Sequence, residues 1–327
     1  MKLTLLYSNA ANFRGDHTMN FARYWRHHLS LHPPHNKANL EKMVAMVKEQ
    51  NADIIGIGEI DKCTHWSARI DQPKYIAERL DFDVLYGQNY TSPLPWLYSA
   101  DTGNAVLSRF PRDKNLSGVI KFEHSNLYEC FTGLIGAKRF IHDVIPLPNG
   151  KFIHAVCTHF STNFRELRET NALDIVKYFK ENILPLHESC GDSYIFMGDL
   201  NTVPLFTQKR HGFDDSDERE IKKTGTIVDK LMDGITAKVA EVFPDDYRKD
   251  YTLNILKSSR LFKSTMKIDP FNPKELDDGR YRTYPQKPNR MIDYIFVSPD
   301  IETTDVETIK VDFSDHRVIK TDVFVPD

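Results

Sequence analysis

The sequence has few cysteines, no long apolar run and no excess of charge of one sign. Its four cysteines, Cys63, Cys130, Cys157 and Cys190, stand singly among 327 residues, which disfavours both a CxxC zinc site and a disulfide framework. The sequence contains no apolar run of 18 residues that would predict a transmembrane helix, and its N-terminal stretch lacks the apolar core of a signal peptide. The net charge of −3 gives no reason to expect strong non-specific binding to a phosphate backbone. We therefore expect a cytoplasmic monomer that does not insert into a membrane.

The chain also lacks internal repeats and any flexible linker, so we predict a single domain over residues 1–327. Two polar segments interrupt its pattern, and we interpret them as insertions at about 13–36 and 205–290. The first holds five histidines, which we interpret mainly as part of a solvated loop: His17, His27, His28, His32 and His35. The second begins with the acidic run DDSDERE and continues with a predicted helix around 226–243.

Apolar periodicity predicts interleaved strands and helices. Leu40, Met43, Val44 and Val47 recur at helical spacing within 37–51, and a second long helix follows the hairpin pattern around PLPNGK. Short apolar runs such as DIIGIGE are typical of strands buried on both faces. The mixture of hairpins with strand–helix alternation predicts a layered α/β protein with mixed sheets.

Several of the predicted strands end on a polar side chain that can bind a metal or a phosphate. These residues are Asn9, Glu59, His159, Asp199 and Asn201, together with Asp293 near the start of a strand and Asp315 and His316 just before the last strand. Taken singly, each has an ordinary interpretation as a turn residue, a solvated strand end or a hydrogen-bonded histidine. Taken together, they place carboxylates, carboxamides and histidines on rigid supports that can converge on one site.

The stretch SYIFMGDLN illustrates the pattern. We expect Gly198 to permit a tight turn beside the site, and Asn201 to face the same side as Asp199 if strand geometry continues. Oxygen ligands without thiolates suit Mg²⁺ or Mn²⁺. Carboxamides and histidines can stabilise negative charge on a phosphoryl oxygen. This inventory predicts hydrolysis of a phosphate ester by a metal-activated water.

The order of these motifs resembles that of the endonuclease/exonuclease/phosphatase superfamily, which has the deoxyribonuclease-I-like fold. The resemblance implies a four-layer α/β sandwich in which helices flank two packed, mostly antiparallel or mixed β-sheets. His159 stands where the abasic-site endonuclease branch has a tyrosine. The resemblance is therefore stronger to the branches that contain deoxyribonuclease I, sphingomyelinases and inositol phosphatases.

The resemblance also implies roles for individual residues. Those implied near the metal, Mg²⁺ or Mn²⁺, are Glu59, Asn9 and Asp315. Those implied in catalysis are His159, Asp199, Asn201, Asp293 and His316. Two weaker matches suggest substrate contacts at Asn104 and Arg139, where a structural role is equally consistent with the sequence. The general base is left open between Asp199 and the pair of Asp293 and His316.

We therefore predict a divalent-metal-dependent phosphodiesterase or phosphatase. The alternative within the same fold is a DNA or RNA endonuclease or exonuclease, favoured by the basic residues of 248–267 and by the arginines and tyrosines of GRYRTYP. A more remote alternative is a binding or scaffold protein without catalysis. The sequence leaves the substrate open among nucleic acid, a small phosphoester and a lipid headgroup.

Overall fold

The computed structural model describes residues 1–13, 15, 36–64, 67–90, 101–123, 137–161, 165–202, 250–266, 281–284 and 291–326. The five histidines of the first predicted insertion and the predicted helix at 226–243 lie outside these residues. No helix within the described ranges is long and apolar enough to cross a membrane.

Thirteen strands occur in the described part of the chain. They are β1 (Lys2–Asn9), β2 (Ile54–Asp61), β3 (Asp83–Tyr90), β4 (Thr102–Ser108), β5 (Gly118–Lys121), β6 (Arg139–Pro146), β7 (Phe152–His159), β8 (Ser193–Asp199), β9 (Lys263–Ser264), β10 (Asp293–Val297), β11 (Glu302–Thr303), β12 (Glu307–Ile309) and β13 (Val318–Phe324). The α-helices span Asn36–Gln50, Gln72–Leu80, Arg165–Tyr178, Leu184–Cys190 and Thr252–Ser258, and a π-helical turn, Phe179–Ile183, joins the third to the fourth.

The strands form two sheets. Sheet I has the order β11-β13-β1-β2-β4-β3, with β12 also paired to β13, and sheet II has the order β5-β6-β7-β8-β10-β9. The described pairs are antiparallel except β1 with β2 and β7 with β8, which are parallel. The predicted mixed sheets are therefore confirmed, as is the predicted hairpin of β6 and β7.

The apolar strands are buried because both faces of each sheet are covered. Tyr7 and Val106 of sheet I pack with Cys157 and Met197 of sheet II in one core between the sheets. Successive residues of a strand point to opposite faces, so Leu6 belongs to a second core. That second core lies between sheet I and the helix Asn36–Gln50.

The helices supply the two outer layers. Leu40, Met43, Val44 and Val47 are buried at the predicted helical spacing against sheet I. On the other side, Ala172 and Ile175 of the helix Arg165–Tyr178 and Phe179 of the π-helical turn are buried in the core that includes sheet II. The predicted four-layer α/β sandwich is confirmed.

Part of the second predicted insertion contributes to this framework. Lys263 and Ser264 pair with Val297 and Phe296, so β9 forms the edge of sheet II. Just before the helix Thr252–Ser258, Asp250 forms a buried ion pair with Arg168, with 2.8 Å between Oδ2 and Nε. Residues 250–266 are therefore packed against the layers rather than projecting from them.

Candidate active site

Asp199 lies at the centre of a polar cluster at one end of sheet II. It is the last residue of β8 and is 1% exposed. Its neighbours across the sheet are His159 of β7, in parallel register, and Asp293 of β10, in antiparallel register. Three predicted site residues thus stand side by side, because β7 and β8 end where the antiparallel β10 begins.

Asn9, the last residue of β1 in sheet I, lies at the same point. Its Nδ2 donates to Asp199 Oδ2 at 2.9 Å and is 3.3 Å from Glu59 Oε1, while its Oδ1 accepts a hydrogen bond from the Ala11 backbone at 3.0 Å. Asn9 pairs with Gly58 in the parallel register of β1 and β2, which brings Glu59 close. The carboxamide therefore holds two carboxylates from different sheets near each other.

Glu59 reaches the site from a β-bulge, not from the end of a strand. β2 continues to Asp61, so the predicted strand end at Glu59 is wrong. The pairing with β4 shifts register between Ile57 and Ile60, and Glu59 has a φ of 49°. A bulge bends the strand and redirects a side chain, and bulges are frequent beside active sites. The Glu59 carboxylate consequently lies 3.7 Å from His159 Nε2.

Asp293 and His316 form a buried hydrogen-bonded pair across the two sheets. His316 Nδ1 lies 2.9 Å from Asp293 Oδ2, and His316 Nε2 lies 3.9 Å from Asp199 Oδ2. Ser314 supports the histidine, since its Oγ accepts from the His316 backbone at 3.0 Å and donates to the Asn9 carbonyl at 2.6 Å. The last strand is thereby joined to β1 beside the cluster.

The two histidines have opposite electrostatic surroundings. Burial lowers the pKa of His316, but the charge and hydrogen bond of Asp293, with the charges of Asp199 and Asp315, outweigh this and raise its pKa to about 10. Burial, reinforced by the positive charge of Lys138, lowers the pKa of His159 to about 3. At neutral pH His316 is an imidazolium and His159 is a neutral imidazole.

Asp199 is shifted in the direction expected for a buried acid. Burial and the nearby charge of Asp293 raise its pKa to about 7, although His316 and the hydrogen bond from Asn9 oppose the shift. The carboxyl group therefore exchanges its proton near neutral pH. Such shifted groups are frequent at catalytic sites.

Asn201 does not continue the strand as expected. Its φ is 49°, and its Nδ2 donates to the Phe160 carbonyl at 3.2 Å, so the side chain ties the end of β8 to the end of β7. Gly198 is not at a turn either. It lies within β8, where a Cβ would be 2.5 Å from the Thr158 carbonyl oxygen. The glycine allows the close approach of β7 and β8, which brings His159 beside Asp199.

The two weaker candidates link the sheets at the same end of the molecule. Asn104 of β4 is fully buried and its Nδ2 donates to the Arg139 carbonyl at 3.1 Å. Its Oδ1 has no hydrogen-bond partner among the described residues. Arg139 is half-buried at the start of β6, and its backbone nitrogen donates to Asn89 Oδ1 at 2.8 Å. These contacts are structural, and a substrate contact for either residue stays a prediction.

The donor set of the cluster fits a hard divalent cation. Its carboxylates come from Glu59, Asp199, Asp293 and Asp315, and oxygen donors are what Mg²⁺ and Mn²⁺ prefer. Ligand-type atoms of Asp199, Asp293 and His316 lie within 4.8 Å of one another. Because such ions prefer oxygen to imidazole nitrogen, the carboxylates are the ligands that fit. Burial raises the pKa of Cys157 to about 12, which keeps that thiol protonated.

Three further residues at the site lie outside the pattern of polar strand ends, although the stretch GRYRTYP includes one of them, Tyr284. Tyr7 accepts a hydrogen bond from the Asp199 backbone across the sheets at 2.7 Å. Lys138 is 5% exposed and close enough to influence His159. The Tyr284 ring packs on the His316 ring with 4.9 Å between centroids. The alternation of side chains along β1 predicts only that Tyr7 faces inward. It does not predict the hydrogen bond, because Asp199 belongs to the other sheet.

The sandwich and its cluster define a deoxyribonuclease-I-like phosphoesterase fold. The chain belongs to the endonuclease/exonuclease/phosphatase family, whose model matches residues 11–316. The predicted family membership is confirmed. Comparison with curated proteins gives no match.

Solved structures of low sequence identity share the fold. An endonuclease/exonuclease/phosphatase from Beutenbergia cavernae aligns with a TM-score of 0.62 and 16% identity over 99% of this chain and 72% of that one. The Bacteroides thetaiotaomicron mannosyl-6-phosphatase Bt3783 gives 0.57 and 14% over 98% and 99%. D. rerio TDP2, crystallised with a single-strand DNA product, gives 0.57 and 11% over 99% of each chain.

Proposed function

We propose that this protein is a divalent-metal-dependent hydrolase of phosphoester bonds, acting as a phosphodiesterase or phosphatase. The observation that carries the proposal is the set of contacts around Asp199 Oδ2. This atom is 2.9 Å from Asn9 Nδ2 and 3.9 Å from both His159 Nε2 and His316 Nε2. An acid, a neutral imidazole and an imidazolium thus surround one small volume beside the Glu59 carboxylate.

Glu59 is the main metal ligand in this proposal, with Asn9 and Asp315 beside it. The side chains of Glu59 and Asp199 are 28% and 2% exposed, so solvent and a hydrated ion reach Glu59 more readily than Asp199. Asn9 acts by orienting Glu59, because its Oδ1 is engaged by the Ala11 backbone. A bound Mg²⁺ or Mn²⁺ supplies positive charge that polarises the phosphoryl group and acidifies water.

The chain's own residues handle the proton and the developing charge. Asp199, whose pKa is raised to about 7, accepts the proton of the attacking water as the new P–O bond forms. His316 already holds its proton, so it donates a hydrogen bond to a phosphoryl oxygen instead of acting as the base. Asp293 keeps that imidazolium in place. The departing ester oxygen takes up a proton from solvent.

His159 contacts the phosphate in this scheme, and Asn201 supports the strand that carries it. The Nε2 of His159 has no hydrogen-bond partner in the described part of the chain, and it faces the same volume as Asp199 Oδ2. A neutral imidazole can donate one hydrogen bond to a phosphoryl oxygen there. Asn201 keeps β7 and β8 in register at this end through its bond to Phe160.

Lys263, one of the described basic residues of 248–267, gives no support to the nucleic-acid alternative. Lys263 pairs with Val297, four residues along β10 from Asp293, which corresponds to roughly 13 Å of strand. Its Nζ donates to the Ile301 carbonyl at 2.8 Å. This lysine is therefore directed away from the cluster. The stretch GRYRTYP contributes Tyr284, whose ring packs on His316, so the nuclease alternative keeps an aromatic side chain at the site.

One assay tests the proposal and separates the alternatives. The purified protein is incubated with Mg²⁺, Mn²⁺ or EDTA and with plasmid DNA, single-stranded RNA, a chromogenic phosphodiester or a chromogenic phosphomonoester. We expect metal-dependent cleavage of a small ester that is lost in H316A. Cleavage of nucleic acid alone would support the nuclease. No cleavage of any substrate would overturn the proposal in favour of a binding or scaffold protein.

A further inference from the structure

Thr283 binds the backbone beside both members of the pair formed by Asp293 and His316. It is fully buried and belongs to residues 281–284, the described end of the second predicted insertion. Its Oγ1 accepts hydrogen bonds from the backbone nitrogens of Ile292 at 3.1 Å and Asp293 at 3.2 Å. Its carbonyl accepts one from the backbone of Arg317, the residue after His316, at 2.7 Å.

The hydroxyl takes the place of a missing strand neighbour. On one side, Asp293 pairs with Asp199 of β8. On the other side, the described pairing with β9 reaches only Phe296 and Val297. The start of β10 would leave backbone donors unpaired there, and a buried unpaired donor is costly. Thr283 Oγ1 accepts hydrogen bonds from two such donors and so fixes the backbone where β10 begins, at Asp293.

The carbonyl of Thr283 acts on the other side of the pair. His316 precedes β13 of sheet I, whereas Asp293 starts β10 of sheet II. Their 2.9 Å contact therefore depends on how the strand ends of two separate sheets are held together. Thr283 alone contacts both strand ends, and the adjacent Tyr284 packs its ring against His316. Tyr281 anchors the segment through its hydroxyl, which donates to Asp305 Oδ2 at 2.7 Å.

We propose that Thr283 is a positioning residue that sets the geometry of the hydrogen bond between Asp293 and His316. Its hydroxyl fixes the Asp293 backbone and its carbonyl fixes the chain next to His316. The kinetic consequence rests on the proposed function, but the positioning itself does not. A small misplacement of a reacting group costs up to on the order of 10²-fold in rate.

The test compares T283V, which removes the hydroxyl at similar volume, with T283S, which keeps it. The first readout is the NMR resonance of the His316 Nδ1 proton, identified by its loss in H316A. We expect this resonance to shift or broaden in T283V and to stay at the wild-type position in T283S. The second readout is the cleavage rate of the chromogenic ester, with kcat expected to fall about 10- to 100-fold in T283V and KM little changed.

T265V is the matched control. Thr265 is also buried, and its Oγ1 donates to the carbonyl of Ile295, also in β10, at 2.9 Å. We expect T265V to lose stability but to leave the His316 resonance unchanged. If T283V does not fold, T283A replaces it with the same expectation. A resonance that stays unchanged in the folded variant lacking the hydroxyl, or that shifts equally in T265V, overturns the proposal.

The two proposals fail in different ways. If the wild-type protein shows the His316 resonance and its T283V shift but cleaves no ester, the proposed function is overturned and the positioning role stands. If the ester is cleaved but T283V matches the wild type in resonance and kcat, the positioning role is overturned and the proposed function stands.

Discussion

The hydroxyl oxygen of Tyr7 lies 2.7 Å from the backbone nitrogen of Asp199. Tyr7 belongs to β1 of sheet I and Asp199 ends β8 of sheet II, so this hydrogen bond crosses the core between the sheets. Tyr7 is fully buried, and burial raises its pKa well above the usual value, which keeps the phenol protonated. The contact fixes the distance between the two halves of the site.

We expect Y7F to destabilise the protein and to slow catalysis. The substitution leaves the Asp199 N–H buried without its acceptor, which costs about 1–3 kcal/mol. It also frees the end of β8, so kcat should fall. Urea unfolding and ester cleavage measure the two effects.

Y194F is the control for Y7F. Tyr194 is equally buried, but its hydroxyl donates to the Leu261 carbonyl at 2.7 Å, away from the cluster. Y194F should lose stability while retaining kcat. An equal loss of kcat in both variants would show that Tyr7 has no special relation to Asp199.

Divalent metal should stabilise the fold through Glu59. Carboxylates gathered at one place repel one another, and an ion that binds only the folded state stabilises it by about 2.7 kcal/mol at 100 times its Kd. We expect Mg²⁺ or Mn²⁺ to raise the Tm of the wild type, and E59Q to abolish most of the increase. E302Q, at an exposed position of β11, should respond as the wild type does. A metal-induced increase that survives in E59Q would exclude Glu59 as the principal ligand.

A buried histidine pair should make the protein sensitive to acid. His142 Nε2 lies 2.9 Å from His154 Nδ1, and His142 Nδ1 lies 2.8 Å from the Tyr178 hydroxyl. Burial, with a smaller contribution from His154, lowers the pKa of His142 to about 3. The unfolded chain binds this proton near pH 6.5 and the folded protein does not. The stabilisation is therefore complete above pH 6.5 and is lost as pH falls toward 3.

H142Q should flatten that dependence. Urea unfolding at several pH values between 4 and 7 gives the slope of unfolding free energy against pH. We expect a shallower slope in H142Q than in the wild type, even if H142Q is less stable at pH 7. Identical slopes would show that His142 takes up its proton equally in both states.

The buried ion pair of Arg168 and Asp250 should be costly to break from one side. The two side chains are 4% and 2% exposed, and Arg168 also donates to the Ser161 carbonyl at 3.3 Å. Removing one partner leaves a buried charge, which costs about 3–5 kcal/mol. We expect R168A to lose this much stability and R168M/D250L to lose less. R109A, which removes an exposed partner of Asp53, should cost about 1 kcal/mol or less. A loss in R168A no larger than in R109A would contradict the argument.

The sequence alone predicts the layers and the list of polar residues. Leu40, Met43 and Val47 identify a helix face by spacing, and DIIGIGE identifies a strand covered on both faces by its continuous apolar run. These patterns are local, since each depends only on the period of a helix or a strand. The sequence predicts that strand ends such as Asn9 and Asp199 meet within one sheet, and the order of motifs adds His316 by resemblance to a family, whereas the structure brings them together from two sheets.

Tertiary structure alone decides how those residues act. Glu59 is aimed by a bulge whose register shift depends on β4, and Asn201 leaves the strand to bind Phe160. The Tyr7 hydroxyl binds the backbone of Asp199, more than 190 residues away along the chain. Thr283 Oγ1 binds the backbone of Asp293, about 10 residues away. Such contacts leave no periodic signal in the sequence. The protonation states of His159 and His316 likewise depend on burial and on neighbouring charges, which only the packed sandwich creates.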